Sequence, residues 1–375
     1  MTLAPGLTEP LRLPFAGDVA LAPGAPAPAF GAAFTAHMVT AAWSEATGWQ
    51  ALELGPRRPL AVDPAMAALH YGQAIIEGLK AYRRDDGSLV VFRPGAYARR
   101  LIASARRMAL PELPEEVFLS AVEQLVEADG PRLPSRPGFG LYLRPAQFAT
   151  EPSLALRPAR DCLFLLVAFV TGGFFGDRPE PIAVTANEEY VRAAPGGTGA
   201  AKCAGNYAPT YPAQLAAAAD GYQQVLWLDA IERTYVEELG GMNVFFVHRD
   251  RRGGRAVVST PPLTGTLLPG VTRASLLDLA ADHGFAVREE PMSIDGWRSG
   301  CLDGTIAEAF ACGTAAGVTP IGRVRAGGRE WTVGNGAAGP VTLTLHRALH
   351  DVHRGVRPDR FGWLHEVGVH RSAAR

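Results

Sequence analysis

The chain has 375 residues, 36 basic against 37 acidic for a formal net charge of −1, and 47% of its residues are hydrophobic. The length suits two domains around packed cores. The balanced charge, with no block of one sign, argues against a nucleic-acid footprint or a polybasic membrane patch. The longest apolar run, residues 162–170, falls far short of the roughly 20 residues of a membrane helix.

Residues 1–30 are rich in Ala, Pro and Gly and read as an extended arm. Residues 34–43 alternate loosely as a strand, and 79–83 with 89–93 flank Asp85-Asp86-Gly87 as a hairpin. Helices are predicted over 97–109, closed by Pro111, and from Pro114 to Gly130, where apolar pairs recur at a helical period. Segments 140–149 and 162–170 read as strands. The Gly/Pro density of 171–181 marks a linker between an α+β unit (1–170) and a larger unit (182–375). The second unit opens with a strand at 182–185, a glycine-rich loop at 195–201 and an Ala-rich helix at 209–219. Strands follow at 225–228, 235–237 and 244–248, then a hairpin turn at 250–255 and helices at 271–283 and 341–353. This mixture predicts an α+β protein whose second domain is barrel-like rather than a strict βαβ array.

The start of the chain has neither the basic nor the apolar region of a signal peptide. Cys162, Cys203, Cys301 and Cys312 form no CxxC pair, so reduced thiols in a cytoplasmic protein are expected. The loop Gly196-Gly-Thr-Gly-Ala-Ala-Lys202 fails as a P-loop, because Ala201 precedes the lysine and Cys203 follows it. It fails as a GxGxxG fingerprint because Lys202 occupies the third glycine position. His365-Glu366 and His370 have histidines five apart, which one helical face does not present together. His346, His350 and His353 do share a face, but without a carboxylate partner they read as a solvated helix face, so no metal is expected.

Only two of the basic residues are lysines, Lys80 and Lys202, so chemistry that needs an amine has two candidates. Lys80 lies three residues from Glu77 and suits an ion pair with it. Lys202 follows a run of small residues that lets a flat ring approach closely, although an ordinary surface lysine in a loop fits its position equally well. An amine that is desolvated or near a cation sheds its proton more readily and becomes nucleophilic.

The segment Gly196-Gly-Thr-Gly-Ala-Ala-Lys202-Cys-Ala-Gly-Asn-Tyr207 resembles the lysine motif of branched-chain amino-acid aminotransferases, pyridoxal-phosphate enzymes of fold type IV (the D-amino-acid aminotransferase-like fold). The resemblance continues, in collinear order, at Phe30-Gly-Ala-Ala-Phe-Thr-Ala-His-Met38, His70-Tyr71, Glu77-Gly-Leu-Lys-Ala-Tyr82, Tyr142-Leu-Arg144-Pro, Glu238-Leu-Gly-Gly-Met-Asn243, Leu268-Pro-Gly-Val271-Thr272-Arg273 and Ala311-Cys-Gly-Thr314-Ala315. It implies that Lys202 condenses with the aldehyde of pyridoxal 5'-phosphate and then serves as the acid/base of transamination. It implies that Glu238 faces the pyridine nitrogen, with Glu237 on the other strand face as a solvated carboxylate, and that Tyr207 meets the ring hydroxylate. Arg100, chosen over Arg99 by the motif alone, would hold the phosphate with the amides of Val271 and Thr272 at a helix start and with Thr314.

For substrate, the resemblance implies a pocket that takes both a branched aliphatic side chain and glutamate. Phe30, Tyr71 and Tyr142 match pocket residues. Arg144 matches the arginine for the glutamate carboxylate, and the amides near Thr314 and Ala315 would take the α-carboxylate. The partners implied are amino acids and 2-oxo acids, with no nucleic acid or membrane, in a homodimer whose interface lies near Phe30 and Tyr71. Ile76 stands where many relatives carry Phe, and Ala315-Ala316-Gly317 replaces a CxxC found in some animal members. Competing readings are a D-amino-acid aminotransferase or aminodeoxychorismate lyase on the same fold, a cofactor-binding relative without turnover, and a nucleotide-binding protein using the glycine-rich loop.

Overall fold

The computed structural model describes residues 28–133, 138–172, 179–249 and 255–368. Most of the arm, the centre of the linker, most of the 250–255 turn and His370 lie outside the described residues.

The first unit is an antiparallel sheet with two helices on one face. Its strands are β1 (Phe34–Ser44), β2 (Gly48–Trp49), β3 (Glu53–Pro56), β4 (Ala74–Ile76), β5 (Leu79–Arg83), β6 (Leu89–Phe92), β7 (Gly140–Ala149) and β8 (Asp161–Thr171). They are ordered β6-β5-β7-β8-β1-β2, with β3 paired to β1 and β4 to β7. A short helix, α1 (Ala67–Tyr71), precedes β4. The two long helices are α2 (Pro94–Arg107) and α3 (Glu115–Asp129). Pro94 opens α2 at a position that needs no N–H donor. Tyr97, Ala98, Leu101, Ser104 and Ala105 then form its buried stripe. That stripe and Phe118, Val122 and Leu125 of α3 close over Val39, Phe164 and Leu166 of the sheet.

The second unit contains β9 (Ile182–Ala186), α4 (Tyr211–Ala219), β10 (Gln224–Leu228), β11 (Val236–Leu239), β12 (Met242–His248), β13 (Val257–Thr260), α5 (Val271–Asp282), β14 (Ala286–Glu289), α6 (Ile294–Asp303), β15 (Ile306–Gly313), β16 (Gly317–Ala326), β17 (Arg329–Thr332) and α7 (Pro340–Arg354). The order β11-β10-β9-β16-β15-β12 closes on itself through β11–β12, giving a six-stranded barrel. Strand alternation builds two cores from the same strands. Val184, Leu226, Val244, Phe246 and Ala311 fill the interior, which Trp297 of α6 plugs. Phe245, Val247, Phe310 and Cys312 face outward beneath α5 and α7. A last strand, β18 (Leu364–Glu366), crosses back to pair with β6, so the end of the chain belongs to the first sheet rather than to the barrel.

One surface expectation is corrected here. The histidine stripe of α7 is not a solvated face: His353 stacks on Tyr82 at 4.4 Å between ring centres, and burial holds it well below its ordinary pKa. His346 and His350 are half-buried and stack on each other. Among the described residues no group of three His, Cys, Asp or Glu side chains converges to hold a metal.

Candidate active site

Lys202 sits where the two units meet. Its N–H donates to Ser104 Oγ on α2 at 2.9 Å, and its carbonyl accepts from Ile76 N–H on β4 at 2.9 Å. A loop from the second unit is thus built into the first. Asn206 gathers that loop, with Nδ2 donating to Thr198 O and Ala201 O at 2.8 and 2.9 Å. A side chain at Gly199 would place its Cβ 2.2 Å from Thr266 O, so only glycine allows the loop this close to the 264–268 segment. The chain then returns Tyr207 beside the amine, and Lys202 Nζ donates to Tyr207 Oη at 3.1 Å.

Glu238 owes its direction to a register shift. Val236 pairs with Leu228 and Glu238 with Trp227, so Glu237 is one residue extra on β11. Unbroken alternation would put Glu238 on the same side as Val236, in the apolar barrel interior; the extra residue turns it outward. There the carboxylate is 2% exposed. Arg192 Nε forms an ion pair with its Oε1 at 2.5 Å, while Leu268 N–H and Asn243 Nδ2 donate to Oε2, each at 3.2 Å. Burial pushes the Glu238 carboxyl up, and the charge of Arg192, followed by the Leu268 N–H and the charges of Lys202 and Arg100, works against that rise. Lys202, Arg100 and Glu238 therefore act on one another electrostatically.

Arg100 is also buried and spends most of its fork on its own chain. Nε and Nη2 donate to the two oxygens of Glu77 at 2.7 and 2.8 Å, and Nη1 donates to Pro269 O at 3.2 Å. Burial opposes the Arg100 charge, yet Glu77 outweighs it and pushes the pKa up. One N–H remains on each terminal nitrogen, next to the start of α5. At that start Gly270 is the N-cap, with no side-chain cap, and the N–H groups of Val271 and Thr272 have no partner within the helix. A Cβ on Gly270 would fall 2.0 Å from Asn243 Oδ1. Thr314 Oγ1 and Tyr97 Oη are 2.7 Å apart, and Lys80 Nζ donates to Ala315 O at 3.3 Å, so the end of β15 is tied to the first unit at two points.

Phe30, Tyr142 and Phe169 form an aromatic wall. Phe30 meets the other two edge-on at 5.0 and 4.9 Å, and Tyr142 stacks on Phe169 at 4.9 Å. The guanidinium of Arg144 lies 5.4 Å over the Tyr142 ring, and its buried Nε has no hydrogen-bond partner among the described residues. Tyr71 does not join this wall. It is 48% exposed and its hydroxyl donates to Leu154 O at 2.9 Å.

The geometry therefore gathers an amine, a carboxylate, a phenol, an arginine at a helix start and an aromatic wall at one seam. The family Amino-transferase class IV matches residues 74–324. A branched-chain-amino-acid aminotransferase of Mycobacterium tuberculosis is 49% identical over 91% of this chain and 92% of its own. The chain belongs to the class IV aminotransferases. Among solved structures, the Escherichia coli branched-chain amino acid aminotransferase superposes with a TM-score of 0.71 at 28% identity, over 86% of this chain and 98% of that one. The T.th. branched-chain amino acid aminotransferase complexed with N-(5'-phosphopyridoxyl)-L-glutamate does so at 0.69 and 27%, over 87% and 97%.

Two expectations about this class IV aminotransferase are overturned. Lys80 does not pair with Glu77. An offset of three on an extended segment sends the two side chains to opposite sides, so Glu77 reaches Arg100 and Lys80 reaches Ala315 O. Glu237 is not solvated either: it is buried, accepts a hydrogen bond from the Thr266 hydroxyl, and burial pushes its carboxyl up. Sequence reasoning also passed over Arg192, Asn243 and Phe169. The available signal was a polar residue amid small or apolar neighbours for the first two. Phe169 lies inside an apolar run that reads as a strand without marking any one of its residues for the site.

The buried charges can be tested by substitution. Glu77→Ala leaves Arg100 buried without its counter-charge and is expected to cost about 3–5 kcal/mol in urea unfolding; a loss under about 1 kcal/mol would mean Arg100 finds another partner. Burial lowers Lys80 to about 8 from its usual 10.5. The penalty for its charge is complete below pH 8 and disappears as pH rises toward 10.5, because in that window the unfolded chain binds the extra proton. Lys80→Met should therefore gain stability relative to the native chain below pH 8, and that advantage should shrink by up to about 3 kcal/mol by the upper end of the window. A pH-independent difference would show that Lys80 is not buried as a cation.

Proposed function

We propose that this class IV aminotransferase moves the amino group between L-leucine, L-isoleucine or L-valine and 2-oxoglutarate, on pyridoxal 5'-phosphate. The observation that carries the reading is a wall built for two kinds of side chain. Phe30, Tyr142 and Phe169 offer apolar surface to a branched aliphatic group, while the guanidinium of Arg144 over the Tyr142 ring suits the γ-carboxylate of glutamate.

The residues present fit the cofactor by donor chemistry. Arg100, the Val271 and Thr272 amides and Thr314 would hold a phosphate dianion at the start of α5. Glu238 would hold a proton on the ring nitrogen, Tyr207 would meet the ring oxygen, and Lys202 lies beside Tyr207 as the amine. Bound there, the cofactor supplies a carbonyl that condenses with amines and a ring that spreads the electron pair left at Cα. Lys202 Nζ would then act as the positioned general acid/base that takes up and returns the proton of substrate Cα. Tyr207 holds that nitrogen in place between transfers. The amides near Thr314 and Ala315 orient the α-carboxylate, and Lys80 fixes the Ala315 carbonyl behind them. The aromatic wall excludes water from the reacting atoms.

On this reading the chain works as a cytoplasmic homodimer. The exposed Leu69 and Tyr71 near the first sheet would meet a second copy, and the four cysteines are free.

Lys202→Ala is expected to keep the circular-dichroism spectrum and lose the lysine-dependent visible band of the reconstituted protein, with transamination falling on the order of 10²–10⁴-fold or more. Turnover at the native rate would remove the reading. Arg144→Ala should raise the KM for 2-oxoglutarate roughly 10- to 100-fold and leave the branched 2-oxo acids little changed. Equal losses for both would show that Arg144 does not discriminate between them.

A further inference from the structure

Arg192 touches none of the groups assigned to substrate or phosphate, yet its side chain is only 6% exposed and three separate segments converge on it. Nε lies 2.5 Å from Glu238 Oε1 in an ion pair, while Nη1 donates to Thr266 O at 2.9 Å and to Gly199 O at 3.4 Å. Gly199 lies three residues before Lys202. Thr266 lies two before Leu268, whose N–H binds the other Glu238 oxygen. We propose that Arg192 is a positioning residue with two separable duties: it keeps Glu238 ionised in the dry seam, and it pins the lysine loop and the 264–268 segment to that carboxylate. The proposal rests on the reading of Glu238 as the partner of the ring nitrogen.

The charge duty follows from what surrounds Glu238. Around it stand Arg192 and Lys202 from the segment that holds the glycine-rich loop, Arg100 from α2, Glu237 from its own strand, the neutral Asn243 from β12, and the Cys312 thiol of β15, which burial keeps protonated. Burial raises the carboxyl, Glu237 adds like charge beside it, and among the described residues Arg192 is the cation in direct contact. Without Arg192 the carboxyl takes up a proton of its own at higher pH, and it can then no longer hold a proton on a ring nitrogen as an ion pair.

The pinning duty follows from geometry. A planar guanidinium reaches three acceptors on three segments at once, whereas an ammonium is a point charge on a flexible stem. Arg192→Lys therefore removes the fork and keeps the charge, while Arg192→Gln removes the charge.

The test begins on cofactor-free protein. Isotope-edited infrared titration, with Glu238→Gln identifying the band, should show the Glu238 carboxylate in the native chain near neutral pH. In Arg192→Gln its titration should move up by about one pH unit or more, a tenfold change in ionisation, and in Arg192→Lys most of that shift should be restored. An unchanged Glu238 titration in Arg192→Gln overturns the charge duty. Should Arg192→Gln not fold, Arg192→Met at raised ionic strength is titrated in its place by the same criterion.

The second measurement uses holoenzyme. Arg192→Lys should lower kcat roughly tenfold or more while KM for the amino acid stays near native, because the fault lies in the Lys202–Glu238 alignment and not in the pocket. Native kcat in Arg192→Lys overturns the pinning duty. If the native protein itself shows no lysine-dependent visible band, the reading of the cofactor site fails, while the cofactor-free titration still decides the electrostatic role of Arg192.

Discussion

Two pairs of opposite charge, Glu77–Arg100 and Glu238–Arg192, are buried at the seam between the two sheets. Glu77, Arg100, Glu238 and Arg192 are each nearly withdrawn from water, and any one of them alone would carry a desolvation penalty of several kcal/mol. Glu77–Arg100 answers this on the side of the first sheet and Glu238–Arg192 on the side of the barrel. In each pair the hydrogen-bonding capacity left over is partly taken by backbone: Pro269 O and Gly78 N–H in the first, Leu268 N–H, Thr266 O and Gly199 O in the second. What remains unspent sets what a ligand must bring. On the proposed reading it is an anion at Arg100 and the start of α5, and a nitrogen that carries a proton at Glu238.

This arrangement makes the site a property of the docked sheets rather than of either one. The lysine loop leaves the barrel unit and is hydrogen-bonded through its backbone to α2 and β4. Thr314 and Ala315, at the far end of β15, are held by Tyr97 and Lys80 from the first unit. The final strand returns to the first sheet and ties the chain end to it. Each of these contacts is a single hydrogen bond or a short ladder, worth about 1 kcal/mol apiece. The relative placement of the amine and the carboxylate therefore rests on several weak ties acting together and on the burial of Tyr97, rather than on any one strong contact.

Much of the fold was legible because the sequence uses strong local signals. The hairpin over Leu79–Phe92, with its Asp-Asp-Gly turn, the two helices of the first unit with their Pro and Gly boundaries, and the helix beginning after Pro269-Gly270 all stand within a few residues of where periodicity and turn chemistry put them. The barrel was less legible. Two of its longest strands, β15 and β16, are Ala-, Gly- and Val-rich and buried on both faces, so they carry no alternation to read. At the site, Lys202 and Glu238 stood out through a motif. Arg192 and the choice of Glu77 as the partner of Arg100 depend on contacts between residues far apart in the chain, which no local pattern records. Lys80 shows the same limit, since its nearness to Glu77 in sequence says nothing about which side of an extended segment each occupies.

The extra residue at Glu237 links backbone irregularity to chemistry. A barrel strand with unbroken alternation offers every second side chain to an apolar interior, and a carboxylate there would have to be neutral. By inserting one residue, β11 keeps Val236 and Leu239 in the interior and turns Glu238 toward the seam where Arg192 can meet it. The left-over Glu237 is absorbed by the Thr266 hydroxyl, on the segment that also supplies Leu268 N–H to Glu238. If Glu237 were instead taken into the ladder as a regular residue, Glu238 would turn from a place where it can stay charged to one where it cannot, and its bond to Leu268 N–H on the 264–268 segment would be lost in the same step.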